Sequence, residues 1–526
     1  MKTLLPGNKE FRLQLRNIKT LVTLTLLFLL IALLAFGFFL YQQQQHGLPV
    51  NPIIRENQLP GTSAWQITKG TPIDNKTFRS PVIEGYAWTT SAIAGDTVSF
   101  SVSTNQPHFS ADIYRLGWYQ GLGGRLLQTI PDMQGHFYPM PSIDRQTGLV
   151  QANWPVSFSV KIALNWVTGM YVAKLTAANG VEAYAPFVVR SMQPTDFVFI
   201  HADSTDQAYN NWGGKSLYPY NSTESKRAYK VSFDRPLLDQ AGFGNLLYWE
   251  YPMIRWLEEN GYDLGYLSTE DIQSDGALLK NHYGILVVGH SEYWSKEMRD
   301  NLESAINSGV NFAAFAGDTM SWQIRYESSS SKNGTVPNRI IVCYKDKTLD
   351  PLYGKDNSQV TDDPNNPPIN SPLQPLLGEM HAGYFNRTPI KFGYAWVVAN
   401  ASSWVFKDTG LTNGDSLPGL VGYEYDKVFA SYPKPPGLDI LASSPVYNVT
   451  TNTDVVSNAT LYTARSGARV FNAGTIEWSW GLDSFNLADG HPNVVNQAAQ
   501  KITENILQNF LTNVPNETES NEFSIF

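Results

Sequence analysis

At 526 residues the chain is too long for one ordinary hydrophobic core, and with 42% hydrophobic, 13% aromatic and 16% charged residues it is globular and not disordered. A net charge of -9, with no basic patch beyond the N-terminus, argues against a nucleic-acid partner. The one cysteine, Cys343, excludes an internal disulfide and a thiolate metal site.

The basic segment 1–19, with Lys2, Lys9, Arg12, Arg16 and Lys19, precedes an uncharged, proline-free run at 20–41, TLVTLTLLFLLIALLAFGFFLY. That run is long enough to cross a hydrocarbon core of roughly 30 Å as a helix. It exceeds the roughly 7 to 15 apolar residues of a cleaved signal peptide, so an uncleaved transmembrane anchor is expected. The positive-inside rule then predicts a single-pass membrane protein, N-terminus cytoplasmic and C-terminal portion extracellular. Eight N-x-S/T sequons between Asn75 and Asn516 agree with an exterior location. Residues 42–62, rich in glutamine, proline and asparagine, read as a linker.

From 63 to 190 the chain reads as strands and turns. TVSFSVST (97–104) and SFSVKI (157–162) alternate apolar and polar residues, and two strand-like runs flank Asn179-Gly180 as a hairpin. An all-β sandwich is expected there. From 195 to 510 the pattern becomes α/β. DFVFI (196–200), YDLGYLS, GILVVG (284–289) and NFAAFAG read as strands, alternating with helices at 251–260 and about 296–308, which implies a parallel sheet. Residues 327–375, with SSSSKNG and DDPNNPPINSP, read as a loop-rich insertion, and 511–526 as a flexible tail.

VVGHSEYWSKEMRDN (287–301) carries the first chemical signal. In open α/β sheets ligands gather at the carboxyl ends of the strands, where His290 and Glu292 stand. Extended backbone would point both to one side. A structural explanation is equally open: Glu292 favoured by a helix N-terminus and His290 a satisfied buried group. GHSEY begins like a nucleophile elbow at Ser291, but Tyr293 occupies the second glycine's place. HSEYW is not the H-E-x-x-H zinc motif. Cys343, within RIIVCYK, reads as a buried apolar residue. QAYNNWGGKSLY (207–218) is a tight loop that brings Tyr209 to the same edge of the sheet. Tyr209 and Tyr251 both have a default reading as core tyrosines in a chain with 27 of them.

IEGYAWTTSAIAGDTVSFSVSTN, IYRLGWYQGLGGR, AYNNWGGKSLY, WEYPMIRWLEENGYD, VVGHSEYWSKEMRDN and RVFNAGTIEWSWGLD, in that order, resemble the large (beta) subunit of N,N-dimethylformamidase and its relatives, from about residue 83 to 510. The resemblance implies a β-sandwich followed by an α/β domain similar to class I glutamine amidotransferases, with a parallel sheet. The expected fold class is thus α/β plus all-β with an N-terminal transmembrane helix. It also implies hydrolysis of a formamide to formate and an amine at a mononuclear iron, Fe(III), held by two tyrosines and a glutamate. Residue by residue, it assigns the metal ligands to Tyr209, Tyr251 (with Tyr248 close by) and Glu292, and catalytic roles to His290, Asp318 and Glu477. Asp318 stands where the family has an asparagine, which adds a negative charge to the site.

The expected function is an outward-facing, membrane-anchored, iron-dependent hydrolase of small amides. The alternatives are a non-catalytic surface protein binding a glycan or protein, and a serine hydrolase using Ser291. A homo-oligomer and a small companion subunit are left open.

Overall fold

Residues 53–526 fall into one unit of the computed structural model, which describes residues 51–331, 334–385, 393–485 and 493–512. Two sheets pack face to face near its start. One has three strands in the order Ile83–Ala87, Thr97–Thr104, Phe158–Lys161. The other has five, in the order Ser91–Ala92, Glu182–Val189, Gly169–Ala177, His108–Leu116, Gly124–Gln134. Phe100, Phe109, Ile113, Phe158 and Phe187 from the two sheets share one core. Alternation along each strand puts these side chains on the inner face.

A seven-stranded mixed sheet follows, in the order Leu264–Ser268, Phe197–His201, Gly284–His290, Asn311–Gly317, Arg469–Asn472, Thr453–Thr463, Asp439–Asn448. The first five are mutually parallel, Thr453–Thr463 runs antiparallel to them, and Asp439–Asn448 pairs antiparallel with Thr453–Thr463. Their short, wholly buried runs are rich in Val, Ile and Phe, as parallel strands covered on both faces require. The chain leaves Phe197–His201 first to one side and later to the other, so a crevice opens at the carboxyl ends of Phe197–His201 and Gly284–His290. The helix Asp203–Tyr209 leaves the first of these ends, and the residues after His290 leave the second.

The expected fold class needs correction. The described chain is mostly β, arranged in six sheets, because hairpins and strand pairs outside the parallel region add antiparallel structure where loops were expected. Within 327–375, for example, the chain completes a hairpin of Trp322–Ser331 and Gly334–Val342 before becoming irregular. The transmembrane helix and the single-pass membrane localisation are also corrected. Among the described residues no helix is long and apolar enough to cross a membrane. The longest, Gln497–Leu511, has 15 residues and spans about 22 Å, against the roughly 30 Å required. The run 20–41 and the tail from 513 onward lie outside the described residues. Part of the expected linker is ordered: Pro52–Asn57 is a helix, and Asn57 binds Glu258 at 2.8 Å and the backbone N–H of Tyr119 at 2.8 Å.

Candidate functional site

Gly289 shapes the end of its strand. Its φ of +68° is open to glycine without strain, and a Cβ there would sit 2.2 Å from Cβ of Trp249. The backbone can therefore turn into the crevice, delivering His290 and Glu292, both almost fully buried. The Glu292 amide donates to Thr205 Oγ1 at 2.9 Å, tying this turn to the Asp203–Tyr209 helix. On the neighbouring strand His290 pairs in register with Gly317, and Asp318 follows with a φ of +55°, a strained value for a non-glycine residue.

The loop after Tyr209 explains its glycine pair. Gly213 and Gly214 have φ of +76° and +83°, and a Cβ on either would come within 2.7 Å of Val150 or Thr223. The chain reverses there, and the Leu217 amide donates to the Ala208 carbonyl at 3.0 Å. The buried Arg235 guanidinium braces the reversal by donating to the carbonyls of Asn210, Trp212 and Lys215. Tyr218 thereby stacks on Tyr209 with ring centroids 4.4 Å apart.

Three oxygen groups converge as a result. The Tyr209 hydroxyl lies 2.8 Å from Glu292 Oε2, and the Tyr218 hydroxyl lies 2.8 Å from Glu292 Oε1 and from the Tyr209 hydroxyl. The Tyr293 hydroxyl reaches that of Tyr218 at 2.6 Å, and Lys345 Nζ sits 3.5 Å from the Tyr218 ring centroid. Burial, then the Glu292 charge, pushes both phenols well above their usual range. Burial, reinforced by Asp318, pushes Glu292 up to about 7.

A second group faces the first. His290 Nε2 lies 2.9 Å from Glu424 Oε2, 3.4 Å from Glu292 Oε2 and 3.7 Å from Asp318 Oδ2. His381 Nδ1 lies 3.0 Å from Asp318 Oδ1. The antiparallel strands Met380–Tyr384 and Glu424–Lys427 carry His381 and Glu424 over the sheet edge. Burial disfavours a charged His290, but Glu424 and Asp318 outweigh it and raise its pKa. Burial likewise opposes ionisation of Asp318, yet His381 and His290 hold its carboxyl below the usual range. The extra charge at Asp318 is thus answered by imidazoles. All these groups border a cavity of about 610 Å³ or stand directly behind it.

The predicted residues divide accordingly. Tyr209, Glu292, His290 and Asp318 come together. Tyr251 does not join them: its buried hydroxyl is held by the carbonyls of Gly123 at 2.5 Å and Gly117 at 3.2 Å, and its ring packs on Trp65 and Phe485. Tyr248 is likewise absent from the cavity wall. Glu477 is buried against Gly393 and Gly422 and does not line the cavity, where Glu424 presents the carboxylate instead. Ser291 is fully buried and accepts from Trp294 Nε1 at 2.9 Å, which removes it as a nucleophile. Burial pushes the Cys343 thiol up to about 12. Tyr218, missed by the sequence reading, is the last letter of the loop that carries Tyr209. His381 and Glu424 have no comparable sequence signal.

Residues 110–494 match the family described as N,N-dimethylformamidase beta subunit-like, C-terminal. The chain belongs to this family. Its curated relatives include the N,N-dimethylformamidase beta subunits of Paracoccus aminophilus and of an Alcaligenes species, each 24% identical over 344 residues. Those alignments cover 54% of this chain and 40% of each relative, so the chain spans less than half of the length of the curated relatives it matches. Among solved structures, an uncharacterized protein from Bacillus anthracis is similar at 15% identity over 20% of this chain and 78% of its own, with a TM-score of 0.14, too low to carry an argument.

The donor set fits the iron that the earlier resemblance implies. Tyr209, Tyr218 and Glu292 are three hard oxygen donors converging on one point, the chemistry a trivalent hard cation prefers. Around them His290 Nε2, His381 Nδ1 and Glu424 Oε2 are buried polar atoms held in ion pairs with one another and with Asp318.

Proposed function

We propose that the chain is an amide hydrolase of the N,N-dimethylformamidase type, cleaving the C–N bond of a linear amide, a formamide above all, to a carboxylate and an amine. The observation that carries this reading is the convergence of the Tyr209 and Tyr218 hydroxyls on the Glu292 carboxylate beside the His290–Glu424 pair. Tyr209, Tyr218 and Glu292 would hold a mononuclear iron, Fe(III). Such an ion supplies Lewis acidity toward the amide carbonyl and lowers the pKa of water.

The chain's own residues handle the protons. Water adds to the carbonyl carbon while the Glu424 carboxylate accepts its proton, and the 2.9 Å contact of its Oε2 with His290 Nε2 keeps that carboxylate aimed. The C–N bond then breaks, and the same proton returns to the departing nitrogen. Asp318, held by His381, keeps His290 protonated and oriented. The relatives' name of beta subunit supports a companion chain as partner.

The test is the iron content and visible spectrum of the full chain, followed by formate release from dimethylformamide and larger formamides. About one iron per chain with a phenolate-to-iron charge-transfer band, together with turnover, is the expected result. A colourless chain that takes up no iron on reconstitution sinks the reading and leaves a binding protein built on the same cavity.

A further inference from the structure

His290 Nε2 is the meeting point of three carboxylates. Glu424 Oε2 stands 2.9 Å from it, Glu292 Oε2 3.4 Å and Asp318 Oδ2 3.7 Å. A ring nitrogen carries at most one hydrogen, so it can satisfy one of these oxygens and not all of them. Asp318 shows the surplus. It is 3% exposed, and its Oδ1 is taken by the Ser321 hydroxyl and His381 Nδ1. Its Oδ2 accepts no hydrogen bond among the described residues and is held only by the 3.7 Å ion pair with His290, longer than a hydrogen bond.

The spacing is that of ligands about one ion. Donors bound at about 2.1 Å in a tetrahedral shell stand about 3.4 Å apart, and the three separations bracket that value. One donor atom from each of His290, Glu292 and Asp318 lies within 4.8 Å of the other two. Charge points the same way. Two imidazoles, His290 and His381, face three carboxylates, and Lys345, engaged over the Tyr218 ring, forms no ion pair with any of them among the described residues. An imidazole nitrogen among carboxylate oxygens suits a divalent transition ion such as zinc, a different preference from that of two phenols and a carboxylate.

We propose that His290, Glu292, Asp318 and Glu424 form a second metal site, which takes a divalent transition ion and shares Glu292 with the Tyr209 and Tyr218 set. His381, on Asp318 Oδ1, orients that ligand from behind. The ion is inhibitory, a consequence that rests on the hydrolase reading above: it occupies the nitrogen and the carboxylate that otherwise handle the protons.

The test is zinc binding to the full chain, by calorimetry and metal analysis with and without prior iron loading, together with formate release from dimethylformamide as zinc is added. The wild type is expected to take about one zinc per chain, to keep its iron and charge-transfer band, and to slow as zinc binds. Asp318→Asn keeps the side chain's size and a residue type that tolerates the φ of +55°. It should retain iron and weaken zinc at least about 100-fold, beyond the roughly 10–100-fold typical of losing a group behind a ligand. Glu424→Gln should weaken zinc as well, so the result does not hang on one variant. Tyr218→Phe should do the opposite, losing iron and keeping zinc. No zinc binding, equal binding by the wild type and both carboxylate variants, or zinc that enters only by displacing iron mole for mole overturns the second site. Zinc that binds as expected without slowing formate release overturns the inhibition. Zinc binding as expected in a chain that releases no formate at any zinc level overturns the hydrolase reading and leaves the second site standing.

Discussion

Tyr209 and Tyr218 stack with ring centroids 4.4 Å apart and hydroxyls 2.8 Å apart, both on Glu292. The pair exists because Gly213 and Gly214 let the chain double back within one short loop. Tyr218→Phe removes one hard donor from the trio. It should abolish the charge-transfer band and most bound iron while keeping the fold, read by metal analysis and circular dichroism. Tyr251→Phe should do the reverse. It strands two carbonyls of the 117–123 loop, lowering stability by about 1–3 kcal/mol in urea unfolding, with iron content unchanged.

Glu424 stands 2.9 Å from His290 Nε2 and outside the oxygen trio. Glu424→Gln should retain iron and its spectrum yet lower kcat by about 10²–10⁴-fold, the usual range for losing a general base. A variant with unchanged kcat would remove Glu424 from the proton path.

Gly289 carries both a left-handed backbone and a contact that a methyl group cannot share with Trp249. Gly289→Ala should destabilise the chain by about 2–5 kcal/mol, combining backbone strain with overpacking. The displaced turn carries His290 and Glu292, so iron binding should weaken as well. Thermal unfolding and iron titration on the same preparation check both effects.

His201 Nδ1 lies 2.8 Å from Glu250 in the buried start of the crevice. Burial opposes its charge, but Glu250, Asp203 and Asp206 outweigh that and push the imidazole from 6.5 up to about 9. A pKa raised on folding contributes stability that is complete below the unfolded value and lost as pH rises through the folded one. Asp206, which burial pushes from 3.8 up to about 7, acts with the same sign at lower pH. The melting temperature should therefore fall between about pH 6.5 and 9, and His201→Gln should flatten that fall. A wild-type melting temperature that rises across this range would refute the assignment.

The local text was informative wherever physics acts over a few residues. The buried strand Gly284–His290 is legible because an apolar run bounded by turn chemistry has few other uses, and the helix Lys296–Asn307 because Met298, Leu302, Ala305 and Ile306 recur on one face. His290 and Glu292 could be singled out because a strand's carboxyl end is where a parallel sheet opens. Tyr218 was within reach of the same logic, since a loop that reverses after Tyr209 brings its far end back.

Other parts of the site had no such local cause. Tyr251 and Glu477 sit in motifs as rich in aromatic residues and glycine as the Tyr209–Tyr218 loop, and composition cannot tell a hydroxyl held by two carbonyls from one facing a cavity. His381 and Glu424 reach His290 and Asp318 through a strand pair beyond an irregular segment. The sequence by itself determined the strand that ends in His290 and the glycines that let the chain turn there. Only the tertiary structure decided which carboxylate and which second tyrosine meet them, because long-range strand pairing and burial set those contacts, and neither leaves a periodic trace along the chain.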